Sequence, residues 1–245
     1  MPEVCIVVPC FNEAHRLRSA DLVAFADAHP DAALCLVDDG SADGTFGVLE
    51  RMRASRPGRI FVERLPSNRG KAEAVRAGVQ FAARLPSAFI GYWDADLSTP
   101  LEEVDGMLRV LTETPGCVLA MGSRVKRLGA RIERKTSRHV LGRVFSTCAV
   151  QILGVSVYDS QCGAKLFRAD HADIFFGEPF LTRWLFDLEM LVRLRNARGA
   201  AFERSVCEVP ISRWSEVGGS KLSPAAMLSV PFELLRVRAH YNRRA

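Results

Sequence analysis

Apolar positions in the first half of the chain follow two rhythms. Unbroken runs recur at residues 4–9 (VCIVVP), 33–41 (ALCLVDDGS), 59–65 (RIFVERL), 88–96 (AFIGYWDAD) and 117–123 (CVLAMGS). Short runs without alternation suit strands buried on both faces, as in a parallel sheet. Between them the period lengthens. Leu101, Val104, Leu108 and Leu111 fall on one face of a helix, as do Val75, Val79 and Ala82. Strand–helix alternation predicts an α/β protein with a Rossmann-like, mostly parallel central sheet and helices on both faces. Beyond residue 123, YDSQCGAKLF (158–167) and AFERSVCEVPI (201–211) read as further strands flanking a helix around 183–198. A polar, glycine-rich loop at 212–224 leads into an amphipathic stretch at 224–244. The expected organisation is one compact domain over residues 1–222 and an amphipathic helical extension over 223–245.

That extension carries an apolar stripe of Met227, Leu228, Phe232 and Leu235 with Arg236, Arg238, Arg243 and Arg244 nearby. The pattern suits a helix lying in a membrane interface. It suits packing on the domain or on a partner subunit equally well, and Pro231 predicts a kink. The longest charge-free stretch, residues 144–158, has 15 residues and includes Gln151 and Gly154. A spanning helix needs roughly 20 apolar residues. Met-Pro-Glu runs at once into the first apolar run, so no signal peptide is expected. The expected location is the cytoplasm. Seven cysteines, an odd number with no CxxC pair, read as small buried hydrophobes and not as disulfides or a zinc site. An apolar fraction of 48% with 25% charged residues excludes disorder as the main state.

Charge is localised. Residues 124–143 hold Arg124, Lys126, Arg127, Arg131, Arg134, Lys135, Arg138 and Arg143 against Glu133 alone, which is more than the whole net charge of +5. A single basic island points to an anionic ligand or surface at one place, not to a nucleic-acid coat. A solvated basic loop is the alternative. Acidic and amide groups instead follow the apolar runs: Asn12 and Glu13, then Asp38, Asp39 and Ser41, then Asp94 and Asp96. Sheets of this kind bind ligands beyond the carboxyl ends of their strands, so three clusters converge on one crevice. Asn12, Ser41 and Asp43 could each cap a helix instead, Ser41 and Asp43 as readily as they line the crevice. Within Asp94-Ala95-Asp96, an extended backbone would put both carboxylates on one side. Such a pair repels itself and invites a hard cation, Mg2+ or Mn2+.

The ordered set VVPCFNE (7–13), LVDDGSADGT (36–45), SNRGKAEAVRAG (67–78), WDADLSTP (93–100), GSR (122–124), RHVLGRVF (138–145), DSQCGAKLF (159–167) and FDLEML (186–191) resembles the family 2 glycosyltransferases. These are inverting, nucleotide-sugar-dependent enzymes of the GT-A fold. The resemblance runs from residue 4 to about residue 222 and is narrowest to polyprenyl-phosphate (dolichyl-phosphate-type) sugar synthases. It implies a nucleoside pocket lined by Pro9, Phe11, Asn12 and Glu13, with Glu13 toward a ribose hydroxyl. Asp38 or Asp39 would accept a hydrogen bond from the base. Lys71 would contact the nucleotide or its pyrophosphate. Asp94-Ala95-Asp96 would bind the donor, with Asp94 and Asp96 holding the metal. Arg124 and Arg138 would clamp an acceptor phosphate, and Arg143 also matches. Asp159 and Gln161 would lie near acceptor and donor sugar. Asp187 and Glu189 are the candidates for a catalytic base. On a helix they point about 200° apart, so that at most one faces the crevice; in an extended segment both would.

The implied donor is UDP-glucose or GDP-mannose, with DLSTP leaning toward glucose by resemblance. The implied acceptor is a polyprenyl phosphate, already ionised and needing no strong base. A sugar or small-molecule hydroxyl is the runner-up and needs one. Many such synthases carry C-terminal membrane helices. This chain shows none, which leaves a peripheral contact with the cytoplasmic membrane face. A nucleotidyltransferase would carry a glycine-rich basic loop after the first strand, where PCFNE stands instead. A non-enzymatic binding protein would not need the acidic motifs.

Overall fold

The computed structural model describes residues 2–133, 147, 149, 151–215 and 224–242, with 224–230 and 242 as backbone only. The first four apolar runs become β1 (Val4–Cys10), β2 (Ala32–Asp38), β3 (Ile60–Arg64) and β4 (Phe89–Trp93). The fifth becomes β5 (Leu119–Ser123). Later come β6 (Arg131–Glu133), β7 (Ala164–Arg168), β8 (Val206–Pro210) and β9 (Arg213–Ser215). The main sheet has the order β3-β2-β1-β4-β7-β5-β8, and β6 pairs with β9 in a small second sheet. β1 to β4 pair in parallel, while β7 runs antiparallel between β4 and β5. Apolar runs carry no direction, so the one reversed strand was not legible.

Alternate residues of the central strands face opposite layers. Cys5, Val7, Cys35 and Val37 join one core with α3 (Lys71–Ala82), α5 (Ala172–Phe176) and α6 (Phe186–Arg198). Ile6, Val8, Leu34 and Leu36 join the other with α1 (Ser19–Ala28), α2 (Thr45–Ser55) and α4 (Glu103–Glu113). α3 lies close because Gly78 has no side chain: a Cβ there would stand 2.3 Å from Val7 Cγ1. β1 lies between β2 and β4, so consecutive connections leave it in opposite directions. The crevice opens at that switch point, beyond the carboxyl ends of β1, β2 and β4.

Two predicted strands are shorter than their apolar runs. Residues 158–163 form turns ahead of β7, where the Asp159 carboxylate binds Arg124 beyond β5. Residues Phe202–Ser205 form a short helix, α7, before β8. The final stretch is one helix, α8 (Pro224–Asn242), which runs through Pro231. Leu234, Val237 and Tyr241 share the core of α6, whereas Phe232 and Leu235 are 76% and 54% exposed. Among the described residues no helix is long and apolar enough to cross a membrane. Cys5, Cys10, Cys35, Cys117 and Cys162 are buried free thiols and Cys207 is partly buried. Burial pushes the thiols of Cys5 and Cys117 up to about 12.

Candidate active site

The loops after β1 and β2 are knitted together. Asn12 has φ 51°, donates its N–H to Ser41 Oγ at 3.0 Å and accepts from Ala42 N–H at 3.0 Å. Glu13 donates its N–H to Thr45 Oγ1 at 2.7 Å, and its buried carboxylate closes on the Arg16 guanidinium. Pro9 lies within β1 and Phe11 follows the strand, both partly buried. Asp38 accepts from Ser41 N–H at 3.1 Å and lies 3.3 Å from Arg64 Nε. Asp39 takes the N–H groups of Arg69 and Gly70 at 2.7 and 2.9 Å, tying β2 to the start of α3. Burial raises its pKa, and those two bonds only partly oppose it. Of the three expected caps, Asp43 does bind Thr45 N–H at 3.0 Å ahead of α2, while Ser41 and Asn12 serve the loop contacts between them.

β4 stops at Trp93, and Asp94 to Leu97 closes a turn with Leu97 N–H on Asp94 O at 3.0 Å. Leu97 takes φ 49°, an uncommon value for a side chain branched at Cγ. The extended same-side geometry expected for Asp94 and Asp96 is therefore replaced by a tight turn. The two carboxylates still interact: burial, and next the charge of Asp94, raise the pKa of Asp96. Ala95 is buried between them. Asp94 rests on the backbone of Gly163, where a Cβ would lie 2.0 Å from Asp94 Oδ2. Lys71, the first residue of α3, places its ammonium on Asp94 Oδ1. Burial works against that charge, but Asp94, Asp187 and Asp96 outweigh it and raise the Lys71 pKa.

Below this lies a fully buried charge network. Lys165 on β7 has no exposed surface; it donates to the carbonyls of Ser160 and Cys162, each at 2.9 Å, and pairs with Asp187. The Tyr92 hydroxyl also donates to Asp187. Burial, and then Asp187, push the Tyr92 pKa well up. Asp187 and Glu189 both lie in the first turn of α6, and they diverge as a helix requires. Glu189 accepts the N–H groups of Leu181 and Thr182 at 3.0 and 2.9 Å and the Thr182 hydroxyl at 2.7 Å. It anchors the loop before the helix and is fully buried.

At the end of β5, Arg124 turns inward while Lys126, Arg127 and Arg131 are exposed. Its Nε and Nη2 each donate at 2.7 Å to the two oxygens of Asp159, and its backbone N–H adds a third bond at 3.0 Å. Burial favours the neutral acid, but Arg124 outweighs it and holds Asp159 below the usual carboxylate range. The guanidinium also lies 5.3 Å from the centre of the Trp214 ring. Glu208 on β8 takes the N–H groups of Tyr158 and Asp159 at 2.7 and 2.9 Å. Ser123 Oγ, Ser160 Oγ and Gln161 Nε2 are buried beside this pair without a hydrogen-bond partner. Arg138 and Arg143, with the rest of 134–146, lie outside the described residues.

The sequence profile of the family described as glycosyl transferase family 2 matches residues 5–175. The chain belongs to that family. As a family 2 glycosyltransferase it is similar to a dolichyl-phosphate beta-glucosyltransferase of Trichomonas vaginalis, 30% identical over 96% of this chain and 71% of the relative. The Drosophila melanogaster enzyme of that name is 30% identical over 91% and 70%. The human one is 28% identical over 98% and 76%. The fold matches glucosyl-3-phosphoglycerate synthase from Mycobacterium tuberculosis in complex with UDP, with a TM-score of 0.69, 16% identity, and cover of 97% and 80% of the two chains. That synthase has also been solved with Mn2+ and UDP-glucose.

For a family 2 glycosyltransferase, several residues of this site were not singled out by sequence. Lys165 is the plainest: a lysine inside the apolar strand of CGAKLF has no solvent face and needs a buried partner. Tyr92, Trp214 and Glu208 carry no local signal, since each acts through a contact with a distant segment. Among the described residues no group of three or more His, Cys, Asp or Glu forms a metal cage. The Asp94–Asp96 pair nevertheless fits a hard cation bound with substrate oxygens completing its shell. Lys71, a cation held on Asp94, already shows the preference of the place for positive charge.

Proposed function

We propose that this glycosyltransferase moves glucose, with inversion, from UDP-glucose to a polyprenyl phosphate. The observation that carries the acceptor class is that both carboxylates expected as a base have committed partners, Asp187 with Lys165 and Tyr92 and Glu189 with Thr182, while Asp159 beside them is held by Arg124. A hydroxyl acceptor needs a free base, whereas an ionised phosphate does not. The similarity to dolichyl-phosphate beta-glucosyltransferases over almost the whole chain supports the same reading for sugar and lipid.

In this reading the loops after β1 and β2 bind and orient the nucleoside, with Asp38 and Asp39 toward the base. Lys71 meets the diphosphate. Asp94 and Asp96 would hold a divalent cation, which supplies Lewis-acid stabilisation of the leaving diphosphate when bound. Arg124 keeps N–H groups beyond the two that bind Asp159, and Arg suits a phosphate clamp. Ser123, Ser160 and Gln161 offer unsatisfied polar atoms beside it for acceptor phosphate or sugar. A phosphate oxygen then bonds to the anomeric carbon as the bond to the diphosphate breaks, and UDP leaves. The exposed Phe232 and Leu235, with Arg236 and Arg238 on the solvent side of α8, suit a peripheral membrane contact that delivers the lipid.

A donor panel tests this. UDP-glucose, UDP-galactose, UDP-N-acetylglucosamine and GDP-mannose are each incubated with polyprenyl phosphate and Mn2+. Glucosyl-phosphoryl-polyprenol should form from UDP-glucose and be lost in excess EDTA. Transfer from GDP-mannose in preference to UDP-glucose would contradict the donor, and full activity in EDTA would contradict the metal.

A further inference from the structure

Asp94 and Lys71 are joined but unequally mobile. Asp94 follows the end of a central strand, donates its N–H to Gly163 O at 3.0 Å and has its carboxylate pressed on the Gly163 backbone. Lys71 reaches it from the first residue of α3 on a flexible stem, 27% exposed, with its ammonium 5.6 Å from the Phe186 ring centre. Of the other two acids nearby, Asp187 is held by Lys165 and Tyr92, both fully buried, and Asp96 accepts from Ser98 N–H at 2.9 Å. So a cation arriving at Asp94 meets an anchored carboxylate already taken by a displaceable ammonium. A donor diphosphate entering at the start of α3 offers that ammonium a more highly charged partner. We propose that Lys71 is a built-in counter-ion of Asp94, which the donor diphosphate draws away, so that nucleotide and divalent cation bind as a coupled pair.

The inference rests on the proposed placing of donor and metal, and it adds a role for Lys71 beyond diphosphate contact. Coupling of this kind is reciprocal: whatever the nucleotide adds to cation affinity, the cation adds to nucleotide affinity. A fixed lysine serving only as background charge would weaken the cation equally with and without nucleotide. A lysine that changes partner weakens it chiefly without nucleotide.

The test is Mn2+ binding, followed by the electron paramagnetic resonance of free Mn2+, for the full chain with and without saturating UDP. Without UDP, Lys71→Met should bind Mn2+ about tenfold more tightly than wild type, the loss of one charge-assisted competitor. With UDP the two should converge, so UDP should tighten Mn2+ binding far more in wild type than in the variant. Arg183→Gln removes a neighbouring charge, beside Gly70, without touching Asp94 and should leave Mn2+ affinity nearly unchanged. Equal or weaker Mn2+ binding by Lys71→Met without UDP would overturn the proposal. So would an equal UDP-induced gain in both proteins, or an equal effect of Arg183→Gln. Lys71→Gln, with thermal melts of each variant, repeats the comparison should the Met variant fold poorly. Failure of both wild type and variant to bind Mn2+ would overturn this inference and the metal reading together. The donor panel judges glucosyl transfer separately.

Discussion

Gly163→Ala is the sharpest single-residue probe of the site. Its methyl group would meet Asp94 Oδ2 at 2.0 Å, closer than any real contact, so the carboxylate must move. Transfer should fall to background while circular dichroism stays native, and UDP binding in the presence of Mn2+ should weaken. Lys165→Met removes the cation from a buried pair and should destabilise the fold by about 3–5 kcal/mol in urea unfolding. The double variant Lys165→Met with Asp187→Asn should lose less than the two singles combined, because no charge is left unpaired. Arg124→Ala should raise the acceptor KM or lower kcat by about 10- to 100-fold with the donor KM unchanged, as expected for one charge-assisted contact of roughly 1.5–3 kcal/mol. The pair it forms also sets a pH dependence. Asp159 has a folded pKa below its ordinary value of 3.8, so its contribution to stability is complete above that value and is lost as pH falls through the lower folded one. Wild type should therefore lose stability as pH falls below about 4, in the acid range of carboxylates, more steeply than Asp159→Asn does, when the two are compared by thermal melts.

At the scale of elements, what was legible followed hydrophobic period and what was not followed tertiary contact. The strand runs and the helices at 75–82 and 101–111 appear where their periods put them, because strand and helix patterning survive without knowledge of neighbours. Asp94-Ala95-Asp96 looked like a strand end but forms a turn, since Gly163 O and the left-handed Leu97 redirect the chain just after Trp93. The question left open for Asp187 and Glu189 was settled by α6 starting at Phe186, with the helix sending one acid toward Tyr92 and Lys165 and the other to the preceding loop. The roles of Lys165 and Glu208 depend on segments far along the chain and leave no spacing to read. The apolar pattern of α8 suits a membrane interface or packing on the domain equally, and Leu234, Val237 and Tyr241 lie in the core shared with α6, with Arg193 Nε donating to the Tyr241 hydroxyl at 2.8 Å. Leu234→Ala should accordingly cost about 2–5 kcal/mol, like other buried leucines, when measured by urea unfolding; an effect below about 0.5 kcal/mol would mean the helix is a loose appendage.

Over the whole molecule, the parallel half of the sheet brings the loops after β1, β2 and β4 to one crevice. The inserted antiparallel strand β7 places Lys165 beneath it and leads from Gly163, which supports Asp94. β5 and β8 then add Arg124 and Glu208 from the far side. The basic island contributes one inward arginine among its described members, with Lys126, Arg127 and Arg131 left in solvent. In the proposed reaction this enclosure recognises a phosphate as the nucleophile. A matched pair of acceptors, polyprenyl phosphate and the corresponding free polyprenol, differs in that group alone. With UDP-glucose and Mn2+, glucosylated product should form from the phosphate and remain at background with the alcohol. Comparable glucosylation of polyprenol, lost in an Asp187→Asn or Glu189→Gln variant, would contradict the account.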